Sequence, residues 1–553
     1  MKTRIVLIIM LGLVGLSGRG QITNWEWVVG ASGTGLGQEA SYMTTDLNGN
    51  AIITGGFADS IMTFGAHTIM NSYMTQEDSY IAKFSPTGTV LWMKSIGGSR
   101  TEITTSICTD LIGNIYLTGY SNSPTIIFGN INVVTGSINE NMFIVKYDPN
   151  GNVLWAKTAS GIYFTMGSGV KVDSSFNVYV SGSFLDTATF DTITLICSAT
   201  QNAFLIKYDS TGNALWGKSS SGTGSNGSSS VCIDNIGNVI MVGGFYNGII
   251  MFGNFTLTNT GSNDIYIVKY NSGGNVIWAK SGTGISQDCV FDVAEDVNGN
   301  IYITGWFNSP TLTFNNIVLN HIGGFDIYII KFDSNGNAIW GKSFGGVGND
   351  YGYSISVESS GNIYLTAGFT GPSIMIDTVN INVPANWIDP MIILKLDTNG
   401  NILCKDVLGS GGEDQNGISV DNLGNAIIAG DYNSNPYFIV GFDTLYHSAL
   451  AFVAKLHFDC LEAEVGNIKL STSLLLSPNP FTTQATLTIQ GIKNENNKSL
   501  SVYNLLGQEV QNVFVGSATS ITVHRNNLPG GMYFYKLTDD SKTILGMGKM
   551  MVE

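Results

Sequence analysis

Apolar and polar residues alternate in short runs along most of the chain. Examples are the run ending GNIYITGWF at Phe307 and the run DIYIIKF ending at Phe332. A period of two predicts half-buried β-strands, and the D-x-x-G-N segments between the runs predict tight turns at which glycine takes positive φ. The runs recur with a long period. A tryptophan, usually followed two residues later by lysine, stands at Trp27, Trp92, Trp155, Trp216, Trp278 and Trp340, and Cys404 takes its place in a seventh copy. The spacings are 65, 63, 61, 62, 62 and 64 residues.

Each copy predicts four strands. An inner strand precedes an anchoring acid (Asp46, Asp110, Asp173, Asp234, Asp296, Glu358, Asp421). A second strand follows the turn, a third has the form D-x-Y-I-x-K-Y, and an outer strand carries the tryptophan. The last copy ends at its third strand, near His457, while the chain begins with a spare outer strand at Thr23–Trp27. Pairing the two closes a ring and leaves few unpaired edges. The expected fold is all-β, a seven-bladed β-propeller over 21–460. The units over roughly 24–457 resemble the SBBP β-propeller repeat of bacterial exported proteins. That resemblance implies the propeller and no established ligand or reaction.

Both ends of the chain carry export signals. Lys2 and Arg4 precede an apolar run, Ile5 to Leu16, too short for a comfortable membrane span. Residues 1–20 read as a signal peptide cut between Gly20 and Gln21. After a polar linker at 461–473 the pattern changes, with LLLSPNPF ending at Phe481, SVYNLLGQEV at Val510 and LPGGMYFYKL at Leu537. Residues 474–553 predict a small β-sandwich of immunoglobulin-like form. They resemble the type A C-terminal sorting domain of the type IX secretion system. That resemblance implies the secretion machinery as a partner, and passage through the periplasm and outer membrane of a Gram-negative bacterium to the cell surface or the medium.

Composition narrows the function. Net charge is −16 with four arginines, which disfavours nucleic acid as a partner. No segment after the signal is long and apolar enough to span a bilayer as a helix. Of the six cysteines, Cys404 and Cys460 are the pair considered for a disulfide. The turn acids resemble alternating oxygen-ligand runs but lack the distal bidentate glutamate of a calcium loop, so they are read as turn formers. Thirteen of the fourteen lysines from Gln21 to Cys460 fall at two repeat positions and are read, like the tryptophans, as structural. There is no G-x-S-x-G, no H-E-x-x-H and no metal-ligand spacing among the histidines.

One set of residues departs from this background. Glu39, Glu102, Asp288, Asp350 and Asp414 each precede an anchoring acid by seven or eight residues. They are expected to ring one mouth of the central channel, on the face that carries the long connections. There they either bind a cation such as calcium or a sugar-like ligand, or cap local backbone. The expected function is an exported binding or adhesion scaffold rather than an enzyme. The alternatives are a propeller enzyme acting on polysaccharide or peptide through the acidic mouth, and a structural coat protein. Deleting 474–553 is expected to strand the protein in the periplasm, as fractionation would show. Normal surface display of that truncation would refute the export reading.

Overall fold

The computed structural model describes residues 22–33, 38–73, 76–135, 138–384, 387, 389–409, 417–431, 437–440, 443–446, 451–460, 473–490, 498–504, 509–539 and 544–553. The chain divides into two compact units, 1–461 and 462–553. Every regular element among the described residues is a strand.

In the first unit the repeat folds into four-stranded antiparallel sheets. The first comprises Tyr42–Thr45, Ala51–Phe57, Asp78–Phe84 and Val90–Gly97, and the fifth Asp288–Glu295, Ile301–Phe307, Asp326–Phe332 and Ala338–Gly346. Seven such sheets follow one another, and their inner strands are neighbours in a closed circle, Gly417–Val420 of the last lying beside Tyr42–Thr45 of the first. The seventh sheet draws its outer strand from the start of the chain. Ile22–Gly30 runs antiparallel to Ala451–Asp459, with Asn24 opposite His457 and Val29 opposite Val453.

The second and third strands are buried along their whole length in most sheets, because both of their faces pack against neighbouring sheets. The outer strands are only partly covered, and there the tryptophans lie. Trp278 lies against Gly336, in the turn between the third and outer strands of the next sheet. A Cβ on that glycine would meet the indole at 3.0 Å, and its φ of +78° suits glycine. The indole Nε1 donates to the Ser334 carbonyl in the same turn at 3.2 Å, and Lys269 Nζ donates to that carbonyl too. The arrangement recurs at Trp27 on Gly88, Trp92 on Gly151, Trp155 on Gly212, Trp216 on Gly274 and Trp340 on Gly400. Recurrent tryptophan and lysine thus join one sheet to the next at six of the seven junctions, Cys404 standing at the other.

The turn acids are bound up in the same network. Asp46 Oδ1 accepts the backbone N–H groups of Asn48 and Asn50, while Oδ2 accepts from Asn50 Nδ2 and pairs with Lys83 at 2.9 Å. These are turn-forming acids, as the sequence predicts.

The long connections between second and third strands are not open loops. Each contains a β-hairpin, such as Thr125–Phe128 with Ile131–Val134. Where the ladder is described, the hairpin pairs with the preceding sheet's outer strand or with the segment that follows it, as Phe128 does with Ile96 and Met375 with Gly345. Cys404 and Cys460 are disulfide-bonded, with Cα atoms 5.7 Å apart.

The second unit pairs a three-stranded sheet (Ser473–Ser477, Gln484–Gln490, Ser520–His524) with a four-stranded one (Glu509–Phe514, Lys498–Tyr503, Gly531–Asp539, Ile544–Val552). Leu487, Leu500, Val502 and Leu537 are fully buried in its core. This is the two-layer β arrangement expected of the tail.

Removing residues 21–30 strips the outer strand from the seventh sheet and leaves the Ala451–Asp459 edge bare. The truncated protein is expected to melt at lower temperature and to aggregate, as calorimetry and size-exclusion chromatography would show. An equally stable monomer would mean that the ring does not depend on this pairing.

Candidate functional site

The inner strands enclose a central cavity of about 590 Å³. Hydroxyl groups dominate its wall, among them Ser106, Ser168, Ser230, Ser354, Ser356 and Ser419. Asp292 ties three sheets together there. Its Oδ1 accepts from Ser230 Oγ and its Oδ2 from Ser354 Oγ, each at 2.9 Å, and Oδ2 also accepts the Ile355 N–H at 3.0 Å. Lys171, the lysine outside the repeat positions, also lines the cavity.

The predicted acid ring takes a different form. Glu102, Asp288 and Asp350 are the first residues of their inner strands, as expected, but all three are 0% exposed. They do not face an open mouth. Asp288 accepts from the N–H and Oγ of Ser309, Glu102 from Ser121 Oγ at 2.7 Å, and Asp350 from the Gly346 N–H at 2.6 Å. They hold the turns that lead into the inner strands. Glu39 misses the position by one residue. Gln38 bridges to Phe57 as Asp288 pairs with Phe307, and its Nε2 donates to Asp59 at 2.6 Å. The spacing of seven or eight residues hid this offset. Thr165 and Asn226 fill the same slot in the third and fourth sheets. Asp414, and the cleavage pair Gly20 and Gln21, lie outside the described residues.

Sequence reasoning passed over a second acid at each of these junctions. Asp78, Asp264 and Asp326 open the third strands of their sheets, are 0% exposed, and each precedes the acid of the next sheet by 24 residues. Burial, reinforced by the partner carboxylate, pushes Glu102 up to about 7, Asp288 to about 6 and Asp350 to about 7. The fixed 24-residue spacing was legible, but the aspartates had been absorbed into the third-strand motif.

The junction between the fifth and sixth sheets is built differently from the rest. A continuous run of rings passes from the loop face to the channel. Trp306 and Phe325 have centroids 4.2 Å apart, Phe325 and Tyr351 5.6 Å, Tyr351 and Tyr353 6.0 Å, and Tyr353 and Phe291 6.1 Å. All but Trp306 are partly exposed, and Tyr353 and Phe291 line the channel. The positions equivalent to Trp306 are Gly56, Tyr120, Ser183, Gly244, Gly368 and Asp431, and those equivalent to Phe325 include Glu77, Glu140, Gln201 and Asn263. Ile322 and Val347, 55% and 80% exposed, project from loops that meet beside the same junction.

Glu295, at the end of the fifth inner strand, carries the most isolated carboxyl group among the described residues. Neither oxygen has a hydrogen-bond partner, and burial, with Asp234 nearby, pushes it up to about 8. The group keeps its proton in the folded state to higher pH than in the unfolded chain. Its stability contribution is therefore complete below about 4.5 and lost as pH rises through about 8. Glu295→Gln is expected to melt like the parent at pH 4.5 and above it at pH 9. An unchanged difference across that range, measured by thermal scans, would show that Glu295 is not the group responsible.

Comparison with known proteins places names on both parts of the chain. Residues 476–553 match the family described as secretion system C-terminal sorting domain, and residues 91–125 match the β-propeller repeat called SBBP. An uncharacterized WD repeat-containing protein of Acanthamoeba polyphaga mimivirus is 25% identical over 406 residues, 59% of this chain and 29% of that protein. The regulatory protein FlaEY of Caulobacter vibrioides is 26% identical over 163 residues, 28% of this chain and 17% of that protein. The chain thus spans under a third of the length of either relative. Among solved structures, a chain of the mitotic checkpoint complex aligns with 82% of this chain and 99% of its own length at 10% identity and a TM-score of 0.38. A duf4221 family member from Bacteroides vulgatus aligns with 79% of this chain and 98% of its own length, at 9% identity and a TM-score of 0.32. The protein is an all-β chain with a β-propeller repeat and a C-terminal sorting domain, and that domain marks it for type IX export to the cell surface or the medium of a Gram-negative bacterium.

Proposed function

We propose that the exported propeller is a binding protein that takes a saccharide-like ligand on its loop face, where the fifth and sixth sheets meet. The run of rings from Phe325 through Tyr351 and Tyr353 to Phe291 carries this reading. Aromatic faces pack against the C–H faces of sugar rings, and the serine hydroxyls of the channel wall supply partners for ligand hydroxyls. The rest of the repeat is regular, so the one junction that departs from it is where a specific ligand gains most. The enclosure of Glu102, Asp288 and Asp350 supports binding over hydrolysis, because a substrate bond has no path to those carboxyl groups. Adhesion to, or retention of, an extracellular polymer follows from surface display of such a site.

A glycan array probed with the mature chain, with a hydrolysis screen on the same sample, tests the reading. The variant Phe325→Ala with Tyr353→Ala is expected to lose about tenfold or more in affinity, roughly 1.4 kcal/mol, while melting as a folded ring. Full-strength binding by the variant would place the ligand elsewhere, and release of reducing sugar would replace binding with catalysis.

A further inference from the structure

Buried polar atoms without partners are concentrated at one level of the ring. Among the described residues, twelve buried side-chain oxygens lack a hydrogen bond. Eight of them lie where the start of one sheet's third strand meets the start of the next sheet's inner strand: Gln38 Oε1, Asp78 Oδ1, Glu102 Oε2, Thr165 Oγ1, Asn202 Oδ1, Ser225 Oγ, Asp326 Oδ1 and Asp350 Oδ1. Four of the eight belong to acids at two junctions, Asp78 with Glu102 and Asp326 with Asp350, and an orphaned carboxyl oxygen at zero exposure calls for a bound partner. All four oxygens of Asp264 and Asp288 accept hydrogen bonds.

Five junctions at this level are described on both sides. Three join two acids, Asp78 with Glu102, Asp264 with Asp288, and Asp326 with Asp350. Two join neutral residues, Asn141 with Thr165 and Asn202 with Asn226. At the other two, residues 450 and 413 lie outside the described residues.

The neutral junctions supply their own donors. Asn202 Nδ2 donates to the Ser220 carbonyl and Asn226 Nδ2 to the Gly224 carbonyl. A carboxylate has no such donor, and no salt bridge among the described residues includes any of the six paired acids. His321, whose Nε2 contacts the Gly324 carbonyl, is the one imidazole near a pair, beside Asp326. Two buried anions without a counter-charge are costly. Glycine also leaves room around them. A Cβ on Gly97 would strike Asp78, one on Gly98 would strike Glu102, one on Gly284 would strike Asp288, and one on Gly345 would strike Asp326.

We propose that the two acid pairs with orphaned oxygens, Asp78 with Glu102 and Asp326 with Asp350, are divalent-cation sites, with calcium the ion that fits their all-oxygen surroundings, each joining the third strand of one sheet to the inner strand of the next. Calcium accepts six to eight oxygen ligands, so backbone carbonyls, neighbouring hydroxyls such as Ser121, and water complete what two carboxylates begin. Asn202 with Asn226 is the ion-free version of the same joint, held by amide hydrogen bonds.

The test uses the full mature chain freed of metal with a chelator, then titrated with calcium chloride at pH 7.5 by isothermal calorimetry, with thermal melting in parallel. About two ions are expected per chain, with saturable stabilisation that the chelator reverses. Asp326→Asn with Asp350→Asn copies the neutral joint and is expected to bind one ion fewer, with about half of the melting shift lost. Retention of every ion by that variant would assign calcium to the acidic surface or the turn aspartates and overturn the proposal. So would absence of any calcium-dependent change in the parent chain, which would leave protons as the charge balance in the pairs. Both measurements on the parent chain stand even if the double variant does not fold.

Discussion

At six of the seven junctions one polar atom fastens a sheet to the next, and where Cys404 replaces the tryptophan a disulfide to Cys460 links the sixth sheet to the seventh. The carbonyl at the apex of the turn between third and outer strands accepts the indole N–H of the preceding sheet's tryptophan and, in most copies, the ammonium of its third-strand lysine. At Trp92 and Lys83 that acceptor is the Pro149 carbonyl, and at Trp340 and Lys331 the Thr398 carbonyl. The glycine two residues on lets the indole lie flat against the turn. Because the contact reaches across the joint rather than along a strand, it fixes the angle between sheets as well as their spacing. An array of identical joints turns by a constant amount, and a constant turn closes into a ring.

That constraint explains which parts of the molecule can be read from its sequence. The tryptophan period, the spare strand at Thr23–Trp27 and the turn acids are local features or strict repeats, and each predicts its own place in the ring. The acids before the inner strands have the right strands and the wrong exposure. Their partners, such as Ser121 for Glu102 and Ser309 for Asp288, lie 19 and 21 residues further along the chain, contacts with no local signature. Glu39 shows the same limit on a smaller scale. A strand start is set by which residue meets Phe57, and Gln38 meets it. The rings between the fifth and sixth sheets were invisible for another reason. Trp306, Phe325, Tyr351 and Phe291 belong to four different segments, and only the joint brings them together.

Regularity also sharpens the search for function. In a repeat protein a residue is informative when it departs from its equivalents, since the scaffold is already accounted for by the others. Trp306 stands where four of its six equivalents are glycine or serine, and Asp292 is the one acid at a level otherwise occupied by Tyr42, Ser106, Gly169, Ser230, Ser354 and Gly417. Both lie at or beside the joint of the fifth and sixth sheets. These two departures from the repeat therefore fall in one sector of the ring.

Pairing of Ile22–Gly30 with Ala451–Asp459 joins segments more than 400 residues apart in sequence. The chain emerges from the ribosome from its beginning, so the first strand appears long before the strand it needs. Until the last third strand arrives, the early sheets form an open arc with two raw edges, and the Trp27 joint to Gly88 has a loose partner at its other end. Closure is thus a timed event, complete only when nearly the whole propeller sequence is available. For a protein that must be handed on to a second export step, the arrival of its tail and the sealing of its ring fall at almost the same moment.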